Sequence, residues 1–446
     1  MRPPPVLLAI FSGAFLILLL GFRFLDWDFG LYRTGLVLVL LAGVLLLPFV
    51  CRHPLVWKPS ADWSPAVFIA LTLLLFEIGL GLYSVASTAR TGEIRMDQGQ
   101  NTYRAAVLLL RGENPYGRGQ LLDLEAFKIR QGLRQKAGIG PQVNDTELAA
   151  VLQDFWETLD PELKHKLLPV PGPEASSLAH REASLLGYKY GPVLFLLVLP
   201  LARLLGPTTI PLLNLAAFLA WIAVLWAILR NTALPRWTWA IVIASVLATC
   251  EIPLNFLIMT SSDIWPLLFS SLGLFAFLRH RPVLLGVALG IALGSKFLPA
   301  ALFLPLLLLR RSSIPLLCTA LVTAGLNAPF VAWDPQAFLL NVLRWPALME
   351  PDSTSWVFYA PPAIIPVARI IIALAIAFVF WRLVTSREEY LFRALAVVNL
   401  LIVLGGGAFH NNYVTWFAPW LFFALAEAMT ATKTLPRAAG APAGWL

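Results

Sequence analysis

This sequence has little charge, few cysteines and none of the loops by which soluble enzymes hold nucleotides. Only 13% of its 446 residues are Asp, Glu, Lys or Arg, while 59% are hydrophobic and the mean hydropathy is +0.75. That balance excludes a soluble domain. Cys51, Cys250 and Cys318 lie scattered within or beside apolar segments, so there is no disulfide framework and no metal-type Cys pair. A Gly-x-x-x-x-Gly-Lys phosphate loop and a Gly-x-Gly-x-x-Gly turn are both absent, which removes support for a soluble nucleotide-sugar site. Asp123-Leu-Glu125 has the spacing of a metal pair but sits in an amphipathic stretch and reads as surface, so no obligatory metal or other cofactor is expected. No fixed-period repeat and no clear inverted duplication is visible.

What the chain does have is apolar runs about 20 residues long, the length that spans a bilayer core. A span must satisfy its own backbone hydrogen bonds, and the alternating pattern of a barrel is missing, so these are helices. The expected fold is an all-α polytopic membrane protein with about 10–13 transmembrane helices and an outer-face loop domain of amphipathic helices. Residues 1–86 form N-terminal spans near 5–22, 35–50 and 65–86. Residues 87–189 form the outer loop region, 190–432 the helical core and 433–446 a cytoplasmic tail. Asn144 and Glu147 have capping-box spacing at the head of an amphipathic stretch over 145–167, and a second such stretch covers 121–136. The net charge of +8 fits basic cytoplasmic loops and does not by itself indicate nucleic acid.

The pairs Arg230 with Arg236, Arg279 with Arg281, Arg310 with Arg311 and Arg382 with Arg387 mark cytoplasmic turns. The turns between them then face outward. Two places resist this count. Residues 190–229 hold two apolar segments where the charge count allows one crossing, so either 190–206 is a partial or re-entrant helix or Arg230 is an exception to the charge rule. Residues 282–309 are long for one span and short for two; a short-armed pair broken near Lys296 keeps the charges in order. Glu77, in the middle of the third span, needs a partner or a neutralising proton, and pairing with another helix is the simpler expectation.

One stretch organises the rest: Asp97-Gln-Gly-Gln-Asn-Thr-Tyr-Arg-Ala-Ala-Val-Leu-Leu-Leu-Arg-Gly-Glu-Asn-Pro-Tyr116. It opens the only large polar region. Asn101 to Arg111 reads as a short helix, Gly112 as its C-terminal cap, and Asn114-Pro115 as the turn that stops it. At helical spacing Asp97, Asn101 and Arg104 share one face. A carboxylate, an amide and a guanidinium together can deprotonate an alcohol and hold a phosphate; the plain alternative is solvated loop charge. The topology brings Asp263, Lys296, His410, Asn411 and Asn412 to the same side. Lys296 either holds a lipid phosphate or snorkels to the interface. His410 either assists phosphate binding or proton transfer, or is a solvated helix entry. Thr260-Ser-Ser-Asp263 could serve only as an N-cap for a helix from Ile264.

Taken in order, these segments resemble a GT-C type membrane glycosyltransferase, and most closely the bacterial polyprenol-phosphate-mannose α-mannosyltransferases. The resemblance runs over about 87–430. It is carried by Asp97 before Tyr103-Arg-Ala-Ala and Gly112-x-Asn-Pro-Tyr116, then by Tyr190-Gly-Pro and Gly286-x-x-x-Gly-x-x-x-Gly-Ser-Lys296, and last by His410 before Trp416-x-x-Pro419. Met259-Thr-Ser-Ser-Asp263 stands where that family has Gly-Gln-x-Asn. The resemblance implies an integral protein of the bacterial inner membrane whose active site faces the extracytoplasmic side. It implies a polyprenyl-phosphate sugar as donor, mannose or similar, and a glycolipid or cell-envelope glycan as acceptor. It makes Asp97 the general base of an inverting transfer. Arg104, Lys296 and His410 would hold the donor phosphate, and Asn101, Tyr103, Asn114, Tyr116, Tyr190, Asp263, Asn411 and Asn412 would line the substrate site. A polytopic transporter or lipid flippase is the competing reading, and a non-catalytic assembly subunit a third.

Overall fold

The computed structural model describes residues 64–116, 188–249, 251–297, 303–309, 312–339, 355–361, 363–385, 391–406 and 413–430, with 300, 341 and 342 besides. The expected spans at 5–22 and 35–50, the amphipathic stretches 121–136 and 145–167, the cytoplasmic tail, and His410, Asn411 and Asn412 lie outside these residues. The described chain is helical throughout and contains no strand. We label α1 Ser64–Thr91, α2 Asp97–Leu110, α3 Val193–Leu205, α4 Thr209–Arg230, α5 Arg236–Ala248, α6 Ile264–Leu278, α7 Pro282–Ser295, α8 Ile314–Trp333, α9 Ile364–Thr385, α10 Leu391–Gly405 and α11 Val414–Thr430. Among the described residues four helical stretches are long and apolar enough to cross a membrane: Val67–Thr91, Val193–Arg230, Ile314–Trp333 and Ile364–Thr385. Five shorter apolar helices pack between them. The protein is thus an all-α integral membrane protein.

The helices sort by exposure. α1, α8 and α9 leave large apolar side chains uncovered, such as Phe68, Leu321 and Phe378, which is what a lipid-facing surface requires. α10 and α11 are buried through most of their length and carry the centre of the core, with Trp416, Phe417, Trp420 and Phe423 enclosed.

α6 and α7 form an antiparallel hairpin through His280, which takes a positive φ of 54°. α7 then packs closely on α8, and the Gly286-x-x-x-Gly290-x-x-x-Gly294 motif explains how. A Cβ on Gly286 would lie 2.4 Å from the Pro315 carbonyl oxygen, and one on Gly290 would lie 2.7 Å from Val322. The small-residue stripe lets the two backbones touch. Thr319 then donates across the contact to the Gly286 carbonyl at 3.1 Å.

One end of the bundle is basic. Arg279 donates to Asn231 at 3.1 Å, joining the α4–α5 turn to the α6–α7 turn, and Arg393 pairs with Glu427 at 3.4 Å. The other end gathers the start of α2, the start of α6, the end of α7 and the start of α11. Both ends of α3 are tied there too. At its start the Gly191 N–H donates to the Ser295 carbonyl at 3.0 Å. At its end a Cβ on Gly206 would come within 3.8 Å of the Tyr103 hydroxyl of α2. Thirteen residues rise only about 20 Å, too short for a span. α3 alone is therefore shorter than a bilayer core, while α3 and α4 together make one apolar stretch, Val193–Arg230, long enough to cross. α7 likewise stops at Ser295, and Lys296 is extended (φ −153°, ψ 116°).

Glu77 departs from expectation. It is 1% exposed, and neither carboxyl oxygen has a hydrogen-bond partner, so among the described helices none pairs with it.

Candidate active site

The short helix α2 begins at Asp97, one turn earlier than the spacing suggested. It ends as expected: Gly112 takes φ 74°, its N–H donates to the Leu109 carbonyl, and the Glu113 N–H donates to the Leu108 carbonyl. That pair of bonds is a Schellman cap. Ala105 and Ala106 face inward with no exposed area, which brings α2 against α3 and the aromatic residues around it.

Arg104 and Asn101, one turn apart, are 2% and 1% exposed. Neither terminal nitrogen of Arg104 has a hydrogen-bond partner, and neither has Asn101 Oδ1. Burial lowers the Arg104 pKa to about 10, still far above neutral, so the guanidinium remains a cation. A buried cation without an anion is costly. The arrangement leaves a fork of donors open to an incoming anion.

A second charged group is already balanced. Asp263 and Lys296 stand at the two open ends of the α6–α7 hairpin, where an antiparallel pair brings its termini together. Asp263 caps no helix through its side chain. Its carboxylate instead forms an ion pair with Lys296 and accepts from Trp416 Nε1 at 3.3 Å. Asp263 has no exposed side-chain area and Lys296 has 16%. The ammonium also sits 5.2 Å from the Tyr190 ring centre and 5.7 Å from that of Trp416, a cation–π cage.

Tyr190 owes its place to an aromatic nest. Tyr116 and Tyr188 are fully enclosed and pack edge-on with Phe195. Burial raises both phenol pKa values, so both hydroxyls stay donors. Tyr116 donates to the Tyr190 carbonyl at 2.8 Å and Tyr188 to the Gly191 carbonyl at 3.3 Å. Asn114 accepts from the Tyr116 N–H at 3.0 Å. Tyr116 and Asn114 thus shape the loop that presents Tyr190. Tyr103 is half-buried beside the end of α3.

Sequence reasoning missed the residues that join these groups. Gln98 Oε1 accepts from the hydroxyls of Ser261, at 3.0 Å, and Ser262, at 3.2 Å. Asn214 donates to the Phe256 and Ser261 carbonyls and accepts from Trp265. A lone Asn in the apolar run Thr209-Ile-Pro-Leu-Leu-Asn-Leu was a legible signal of such a tie. Gln98 carried none. Among the described residues no group of three His, Cys, Asp or Glu side chains is placed to hold a metal.

No curated protein and no solved structure matches the chain. The family match begins at Tyr188, after α2, and takes in α3 to α10 with Tyr190, Asp263 and Lys296. Residues 188–405, just under half of the chain, match the model of glycosyltransferase family 87, a GT-C type family, and that match together with the all-helical membrane architecture supports a membrane glycosyltransferase of the GT-C type.

Proposed function

We propose that this glycosyltransferase moves a sugar, mannose or a similar one, from a polyprenyl-phosphate donor to a lipid-linked or cell-envelope glycan. The site would face the extracytoplasmic side of a bacterial inner membrane, opposite the basic turns. The observation that carries the reading is Arg104: a buried guanidinium with both terminal nitrogens free, on the helix that begins with Asp97. A lipid phosphate is the anion that a membrane enzyme of this class must hold and release.

The chemistry is a single displacement. The acceptor hydroxyl oxygen attacks the anomeric carbon as the bond from that carbon to the phosphate oxygen breaks. The electron pair leaves with the polyprenyl phosphate, the hydroxyl proton passes to Asp97, and the anomeric configuration inverts. One carboxylate suffices, because the phosphate leaves without a strong acid. Arg104 stabilises the charge that grows on it. Lys296, its charge already balanced by Asp263, and His410 complete the donor-phosphate set. Asn101, Tyr103, Tyr190, Asn411 and Asn412 border the sugars.

The test is direct. The purified protein in proteoliposomes is given radiolabelled polyprenyl-phosphate mannose, glucose or arabinose with a membrane-lipid extract. The reading expects label in a new glycolipid and free polyprenyl phosphate in equal amount. Label carried across the bilayer with no new product would contradict it and favour transport.

A further inference from the structure

We propose that Gln98 is a positioning residue: it clamps the first turn of α2 onto the Thr260–Asp263 turn and so fixes Asp97 relative to the Lys296 pair. The inference rests on the reading of Asp97 as the base.

The N-terminus of α2 has no side-chain cap of its own, since Met96 supplies none. What holds that turn is Gln98, 8% exposed, whose single acceptor oxygen takes both serine hydroxyls. The next residue makes the contact close. A Cβ on Gly99 would lie 3.0 Å from the Thr260 carbonyl oxygen and 2.8 Å from Ile94, so any other side chain would lift α2 away. The opposing turn is itself constrained. Thr260 takes φ 59°, a strained value for a β-branched residue that persists only where neighbours hold it. Asn214 holds it from below through the Ser261 carbonyl at 3.0 Å. Asp263 follows directly and carries Lys296 and Trp416.

The covalent neighbour of the base is therefore bonded to the neighbour of the ion pair. The clamp spans two parts of the chain 163 residues apart and links α2, which precedes the family match, to the matched region. Its loss would let the first turn of α2 move without disturbing Arg104, two turns further on. A shift of about 1 Å in a catalytic group costs roughly a hundredfold in rate.

The experiment compares the full-length wild type with Gln98→Met, Ser261→Ala/Ser262→Ala, the triple variant and Asp97→Asn, in the lipid-donor transfer assay. Gln98→Met keeps the length of the side chain and removes the acceptor. We expect kcat to fall about ten- to a hundredfold, with donor KM within about twofold of wild type because Arg104 is untouched. The triple variant should be no slower than Gln98→Met, since both remove one contact. A wild-type kcat in Gln98→Met, a loss confined to KM, or losses that multiply in the triple variant would overturn the clamp. Should Gln98→Met fail to accumulate, the serine pair reads the same contact, and full kcat there overturns it as well. Asp97→Asn separates the two ideas: an inactive Asp97→Asn beside a fully active Gln98→Met removes the clamp alone, whereas an active Asp97→Asn removes the base and the clamp with it.

Discussion

Replacing Arg104 by Met should make the protein more stable and a poorer enzyme at once. In the free protein the guanidinium is 2% exposed and unpaired at both terminal nitrogens. An isolated buried charge costs several kcal/mol, and an apolar side chain of similar length removes that cost. The melting temperature should therefore rise. In the donor complex the same two nitrogens face a phosphate. Charge-assisted hydrogen bonds contribute about 1.5–3 kcal/mol each, so two of them give at least about 3 kcal/mol, or more than about a hundredfold in Kd. The assay is equilibrium binding of labelled polyprenyl-phosphate sugar to protein in nanodiscs, with thermal unfolding of the same samples. Because burial leaves the Arg104 pKa at about 10, the Arg104 contribution to donor affinity should hold from pH 6 to 9 and decline only above about 10. Lower stability in Arg104→Met together with unchanged donor affinity would refute the reasoning, since it would mean that the guanidinium already has a partner inside the fold.

Three further outcomes follow from the packing. Lys296→Ala leaves the fully buried Asp263 without its cation and should cost about 3–5 kcal/mol, nearer the low end because Lys296 is partly exposed; Lys296→Met with Asp263→Asn should recover most of that in thermal unfolding, since the amide still accepts from Trp416. Gly191→Ala would set a Cβ 2.0 Å from the Gly294 carbonyl oxygen, a backbone atom with nowhere to go, and should lower stability by at least about 1–3 kcal/mol and impair transfer by displacing Tyr190. Glu77→Leu removes a buried carboxyl that bonds to nothing and should raise stability by about 1–3 kcal/mol with transfer unchanged; a lower melting temperature would reveal a partner.

The helical membrane fold was legible because apolar length is a direct physical requirement of the bilayer. The cap at Gly112, the helix start at Ile264 and the break at Lys296 were legible too, each from local backbone chemistry. The sequence could not say whether 190–206 crosses, because a partial helix and a span have the same composition. The structure shows α3 as a thirteen-residue helix joined to α4 by the turn Gly206–Thr208. The Asp263–Lys296 pair was hidden for a related reason. A turn of Thr, Ser, Ser and Asp before a helix reads as a cap, and only the return of α7 shows what the carboxylate faces. The Gly286 motif, noted for its likeness to a family pattern, proves to be a backbone contact between α7 and α8. Gln98 was beyond reach, since its partners lie 163 and 164 residues away and its residue type carries no periodic signal.

The most direct test of the account is the rate of sugar transfer by Asp97→Asn. The amide keeps the size of the side chain but cannot take the acceptor proton. The account predicts a protein that expresses, folds and binds the lipid donor as wild type does, with transfer lowered by about 10²–10⁴-fold, the usual contribution of a positioned base. Asp97→Glu should recover little of it, because one added methylene moves the carboxylate out of reach. Near-normal turnover by a well-expressed Asp97→Asn protein would contradict the account.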